Sequence, residues 1–151
     1  MAQGELVFTS LTKEALAVIR YRTRDLTRQL PGTGPSMRRM QKVTGRDDDM
    51  MIVRGVKGFP TQIEELILKQ PALAPHYQCI LTREGALDCL TVAVEAAGLD
   101  PAHGDAQAGA DKLGAKIKVY VGTTAKIGLR PAGGIERRRG KAKQVVEQRP
   151  R

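Results

Sequence analysis

Residues 45–65 read GRDDDMMIVRGVKGFPTQIEE, and three successive textures in this stretch decide the fold. Gly45 to Asp49 (GRDDD) is a polar turn. Met50 to Gly58 (MMIVRGVKG) is an apolar strand broken by Gly55 and Gly58, as a tight hairpin requires. Phe59 and Pro60 then lead to Thr61, an N-cap residue with Glu64 three positions on, the pairing of a capping box. Behind it Ile63, Leu66 and Ile67 fall on one face at helical spacing, so a short amphipathic helix is expected to end before Pro71.

Downstream, His76 to Thr82 and Leu87 to Glu95 read as two strands joined by an Arg83, Glu84, Gly85 turn, hence an antiparallel hairpin. Ala97 to Gly109 is rich in Gly, Ala and Asp and reads as a loop. Ala110 to Val121 spaces Leu113, Ile117, Val119 and Tyr120 for a helix, and Ala125 to Leu129 is a last strand. Upstream, Gly4 to Thr12 (GELVFTSLT), Ala17 to Tyr21 and Met40 to Thr44 read as short strands, with a surface loop at Pro31 to Ser36 (PGTGPS). The order after residue 44 is hairpin, helix, strand, strand, helix, strand, the pattern of a compact α+β domain. Three short strands bury too little apolar area to offset the entropy of ordering them, so the first 43 residues are not expected to fold alone.

The chain has 151 residues, 41% hydrophobic and 27% charged, and a formal charge of +9. Low mean hydropathy, only 3% aromatics and no apolar run near the roughly 20 residues of a membrane span exclude a transmembrane protein. MAQGELVF has no basic segment followed by a long apolar one, so no secretory signal is visible and a cytoplasmic location is expected. Cys79 and Cys89 lack metal-ligand spacing and read as reduced, buried thiols. The charge is uneven: +5 over residues 1–43, −3 over 44–122 and +7 over 123–151. Basic ends around an acidic middle point to phosphate, without saying whether it belongs to a nucleotide or a nucleic acid.

Four segments can carry chemistry. Tyr21 to Asp25 (YRTRD) puts a carboxylate after a strand, where it can accept hydrogen bonds from a ribose diol or simply shape a turn. GRDDD lacks the alternating ligands and closing Glu of a calcium loop; Arg46 could reach a phosphate or sugar and an acid could mark a joint between domains, or the whole could be a solvated turn. Arg54 to Gly58 (RGVKG) lets backbone approach a ligand closely, or is a plain hairpin. Gly133 to Lys143 (GGIERRRGKAK) carries a lysine suited to neutralising charge that develops on a phosphate and carboxylate. It is not a GxxxxGK[ST] loop, since Ala142 stands at the Ser/Thr position. A basic nucleic-acid-binding module is the rival, weakened because none of Phe8, Tyr21, Phe59, Tyr77 and Tyr120 lies in the basic tail to stack on bases.

Taken in order, YRTRDL, then GRDDDMMIVRGVKGFPTQIEE, then P-x-G-x-I-E-x-x-x-GKAK resembles the C-terminal end of the adenylate-forming superfamily of acyl-CoA synthetases, in its aryl-acetate branch, the phenylacetate-coenzyme A ligases. The resemblance covers nearly the whole chain and implies ATP, coenzyme A and Mg2+ as cofactors and an aryl-acetate as the acid. Position by position it implies that Asp25 hydrogen-bonds the ATP ribose, Arg46 supports the nucleotide and Asp48 is the hinge. It further implies that Gly55, Val56 and Lys57 line the pantetheine channel and that Lys141 is the catalytic lysine of adenylation. Arg24 departs from the pattern, because the wider superfamily usually has Gly there. Residues 1–44 then correspond to the last strands of a large N-terminal domain and 45–151 to a C-terminal lid. No phosphate loop, Mg2+-binding segment or aryl pocket is visible, so a truncated gene product or fragment, inactive alone, is expected. Self-association through strands that would otherwise meet the large domain, giving a homo-oligomer, is also open, with no membrane partner.

Overall fold

A computed structural model describes residues 3–32, 34, 39–98, 100–136 and 144–150. The chain divides into two compact units, residues 1–50 and 51–151, whereas the sequence reading sets the boundary between Thr44 and Gly45.

The first unit is strands and turns around one long strand. β1 (Gln3–Phe8) pairs antiparallel with β2 (Tyr21–Leu30). β3 (Arg39–Met40) and β4 (Gly45–Arg46) each pair antiparallel with a different part of β2. The strand expected at Ala17 to Tyr21 is instead the approach to β2: Arg20 takes a positive φ of 49°, which breaks extended backbone, and the Ser10 N–H donates to the Val18 carbonyl at 2.9 Å. Likewise Met40 to Thr44 is not one strand. Gln41 and Thr44 donate to the Arg28 and Leu26 carbonyls between the two short strands on either side. A turn of 3-10 helix follows at Asp47–Asp49. Among the described residues of this unit only Thr27 and Gly45 are buried, while Leu11, Leu16 and Ile19 stand open to solvent.

The second unit holds the core. β5 (Met51–Val53) and β6 (Val56–Gly58) form the hairpin read from the sequence. Its two-residue turn places both Arg54 (φ 51°) and Gly55 (φ 80°) at positive φ, the mirror-image turn whose twist suits a hairpin. α1 (Pro60–Ile67) starts two residues earlier than the Thr61 cap implied. Phe59 is the cap residue, Pro60 supplies the fixed φ favoured at the first helical position, and the Gln62 side chain accepts the Phe59 N–H at 3.0 Å. Ile63, Leu66 and Ile67 are buried as expected.

β7 (Leu73–Glu84) and β8 (Leu87–Ala96) form the long antiparallel hairpin. β9 (Ala125–Arg130) lies parallel to β8 and β10 (Val145–Glu147) parallel to β7, so the sheet is mixed, in the order β10-β7-β8-β9. A parallel neighbour needs a crossover, and α2 (Gly104–Tyr120) is the crossover from β8 to β9. It starts six residues before the Ala110 expected from periodicity. Its first turns bury only Ala106, Gly109 and Ala110, which carry almost no hydrophobic signal, and its cap is an imidazole: His103 Nδ1 accepts the Asp105 N–H. A Cβ on Gly109 would lie in ordinary van der Waals contact with the Ala72 methyl at 3.4 Å and with Leu73 at 3.6 Å, so the helix passes close to the start of β7 there. Met51, Ile63, Ile67, Cys79, Leu81, Leu90, Val92, Leu113 and Ile117 form one continuous core.

Ile117 is fully buried and Val119, two residues on, is 76% exposed. Ile117→Ala is expected to lower the unfolding free energy by about 2–5 kcal/mol, and Val119→Ala by less than about 0.5 kcal/mol, measured by urea unfolding of the chain.

Candidate functional site

The candidate residues fall in three places along the chain. In the first unit, β2 bulges: its partners on β1 jump from Glu5 opposite Leu26 to Val7 opposite Arg22. At the centre of the bulge Arg24 has φ 63°, the left-handed conformation that glycine adopts freely. Arg24 therefore keeps the backbone shape that a glycine would give. Glu5 holds it there, accepting the Arg24 N–H at 3.0 Å and the Arg22 guanidinium Nε at 2.9 Å. The Arg22 hydrogen bond keeps the Glu5 carboxyl below its ordinary pKa. Thr23 closes the bulge by donating to the Leu6 carbonyl and accepting the Asp25 N–H, both at 3.1 Å.

The bulge brings Asp25 opposite Arg46, its partner across the β2–β4 ladder. Arg46 in turn forks onto Asp48, with Nε 3.0 Å from one carboxylate oxygen and Nη2 3.1 Å from the other. The two residues assigned to the nucleotide and the one assigned to the hinge thus occupy one strip. A groove of about 380 Å3 elsewhere in this unit, lined by Glu5, Val7, Thr27 and Arg39 among others, contains none of the three.

In the second unit, Gly55, Val56 and Lys57 form the exposed tip and outgoing strand of the β5–β6 hairpin. A Cβ at Gly55 would meet nothing within 4 Å, so its backbone is approachable from outside. Arg54 anchors the turn from behind, its Nε donating to the Asp88 carbonyl at 2.8 Å.

Asp88 is the centre of an ion-pair network that sequence reasoning missed. Its carboxylate accepts from Arg83 Nε at 3.0 Å and from Arg149 Nη1 at 2.9 Å. Arg149 also pairs with Glu147 and donates to the Ile52 carbonyl at 3.0 Å, tying β10 to the β5–β6 hairpin. The partners are up to 97 positions apart, a spacing that leaves no local signal. Hydrogen bonds from Arg83 and then Arg149, against some desolvation, lower the Asp88 pKa; the pairing with Glu147 raises that of Arg149. Lys126 pairs similarly with Glu84 at 2.6 Å. Two of the cations behind the +7 of residues 123–151 therefore serve the fold.

Lys141 lies outside the described residues, as does the rest of 137–143. Cys79 and Cys89 are both free and buried, and burial pushes the Cys79 thiol up to about 12. Among the described residues no group of three or more His, Cys, Asp or Glu side chains is arranged to hold a metal, and no helix is long and apolar enough to cross a membrane.

The family model of the AMP-binding enzyme C-terminal domain matches residues 55–149. The phenylacetate-coenzyme A ligase of Aromatoleum evansii is 53% identical over 99% of this chain, which corresponds to 35% of that relative. The chain spans about a third of the length of the curated relatives it matches. A crystal structure of a domain of phenylacetate-coenzyme A ligase from Bacteroides vulgatus superposes with a TM-score of 0.61 at 30% identity, over 68% of this chain and 95% of that one. The 2-hydroxyisobutyryl-CoA ligase in its postadenylation state gives a TM-score of 0.80 over 97% of this chain and 32% of that one, a likeness of fold at 24% identity.

The carboxyls of Asp88, Glu84 and Glu147 all have folded-state pKa values below their ordinary ones, so the stability their pairs contribute is present above the ordinary values and is lost as pH falls through the lowered ones. Asp88→Asn is expected to lower the melting temperature at neutral pH and to shrink the further loss seen on acidification below about pH 4. Melting curves of wild type and variant across this range check it.

Proposed function

Because the chain belongs to the family of AMP-binding enzyme C-terminal domains, we propose that it is the C-terminal part of an ATP-dependent aryl-acetate CoA ligase, with phenylacetate as the acid. Such an enzyme joins the carboxylate to the α-phosphate of ATP, giving an acyl-adenylate and releasing pyrophosphate. The CoA thiolate then attacks the acyl carbon and displaces AMP, giving the thioester. The observation that carries this reading is the 53% identity to the Aromatoleum evansii ligase along 99% of the chain.

Within that reaction each candidate residue has a physical task. Asp25, an acceptor at a strand bulge, takes the hydrogen bonds of the ribose hydroxyls, and Arg46 supports the nucleotide beside it. Their opposition across the β2–β4 ladder supports the pairing of roles. Asp48 is the hinge at which the lid turns between the two half-reactions, a gating motion of the kind that completes one catalytic arrangement at a time. The Arg46 fork onto Asp48 supports a link between nucleotide and hinge. The open backbone of Gly55, with Val56 and Lys57, lines the channel for the pantetheine arm. Lys141 places its ammonium between the acid and the α-phosphate, where negative charge accumulates during adenylation. Mg2+ offsets phosphate charge and is held by the larger part of the enzyme, as is the acyl pocket.

The reduced, buried thiols support a cytoplasmic location, and the exposed apolar residues of the first unit support self-association when nothing covers them. A nucleic-acid role is disfavoured by the lack of aromatic side chains in the basic tail.

In a chimera carrying these 151 residues in place of the matching third of the Aromatoleum evansii ligase, Lys141→Ala is expected to abolish phenylacetate-dependent pyrophosphate release. Thioester formation from preformed phenylacetyl-adenylate should remain largely intact. Survival of both half-reactions would remove Lys141 from its role, and pyrophosphate release by the 151 residues alone would contradict the division of labour.

A further inference from the structure

Glu95 is a carboxylate in β8, the most enclosed strand among the described residues. It stands one residue from the end of β8, 1% exposed, between the buried Val94 and Ala96. Removing a carboxylate from water is costly unless its oxygens are hydrogen-bonded, and an apolar side chain of similar volume often serves stability as well or better. Core packing alone therefore does not account for an acid here. None of the roles assigned above uses it.

Its surroundings show what it holds. Glu95 is the partner of Arg130 in the β8–β9 ladder, so the chain leaves the sheet opposite it. The backbone then turns through Pro131 to Gly134, where the Gly134 N–H donates to the Pro131 carbonyl at 2.9 Å, and returns. On returning, the Ile135 N–H donates to Glu95 Oε1 at 3.0 Å. The turn is thus fastened to one side chain's position at its start and to that side chain's oxygen at its end. Ile135 lies six residues before Lys141 in the sequence GIERRRGK.

We propose that Glu95 is a positioning residue whose carboxylate, by holding the Ile135 N–H, fixes the point from which the chain departs toward Lys141. This rests on the adenylation role of Lys141. Displacement of about 1 Å in a charge-stabilising group can cost on the order of 100-fold in rate, so a loosened departure point is expressed in adenylation and not in the thioester step.

The test uses the chimera described above with two substitutions. Glu95→Gln keeps an oxygen that can accept the Ile135 N–H; Glu95→Met keeps the volume and removes the acceptor. Glu95→Met is expected to slow pyrophosphate release about tenfold or more while leaving thioester formation from preformed adenylate unchanged, and Glu95→Gln to stay close to wild type. A loss shared equally by both half-reactions, no loss at all, or Glu95→Gln as slow as Glu95→Met would overturn the proposal. Lys141→Ala, run in parallel, separates the two claims. If it abolishes adenylation and Glu95→Met has no selective effect, the positioning role falls alone. If it spares adenylation, the role of Lys141 falls and this one with it. Amide hydrogen exchange in the 151-residue chain gives a readout free of activity: the Ile135 amide should be protected in wild type and Glu95→Gln and exposed in Glu95→Met, and an unprotected amide in wild type would overturn the proposal.

Discussion

β8 carries side chains into packed surroundings on both of its faces, from Leu90 through Ala96. A strand so enclosed must have partners on both edges and cover on both sides, and the rest of the C-terminal unit meets that demand. β7 supplies one edge through a long antiparallel ladder, and β9 supplies the other in parallel, which obliges the chain to cross over through α2. α1 and the β5–β6 hairpin bring Met51, Val53, Ile63 and Ile67 to the same core. The short β10 then closes on β7 and is secured by Arg149.

The candidate residues of the second unit lie at the rim of this core. The hairpin tip at Gly55 is exposed, yet its base is pinned by Arg54 and by the Asp88–Arg149 network. Individually such exposed pairs contribute little, but several charges sharing Asp88 fix a geometry that a lone pair would not. In the first unit the same principle acts on a smaller scale. Glu5 holds a bulge at Arg24, and the bulge sets Asp25 across from Arg46. That unit has scarcely any buried apolar surface, so hydrogen bonds and not packing define the strip.

Elements with strong local signals were legible in the sequence: the β5–β6 hairpin from its glycines, α1 from Ile63, Leu66 and Ile67, and the β7–β8 hairpin from alternation around Gly85. What was not legible has physical causes. The first turns of α2 bury Ala106, Gly109 and Ala110, small residues that carry little hydrophobic signal and so are invisible to hydrophobic periodicity. β10 has only two apolar residues and exists because β7 offers an edge. The cap at Phe59 depends on Pro60 and a reach-back by Gln62, which outweighed the more familiar threonine cap. The strip of Asp25, Arg46 and Asp48 could be assigned by resemblance, but that Arg24 preserves the glycine-like backbone, and that Arg46 forks onto Asp48, required coordinates. Glu95 reads only as the end of a strand, and its hydrogen bond from the Ile135 N–H spans 40 residues, which leaves no local signal.

The central claim is that these 151 residues are interchangeable with the C-terminal third of a phenylacetate-coenzyme A ligase. Replacing that third of the Aromatoleum evansii enzyme, where the two sequences are 53% identical, tests it most directly. The account predicts that the chimera forms phenylacetyl-CoA from phenylacetate, ATP and CoA, whereas the same relative lacking its C-terminal third does not. A chimera that folds, binds ATP and forms no thioester would contradict it.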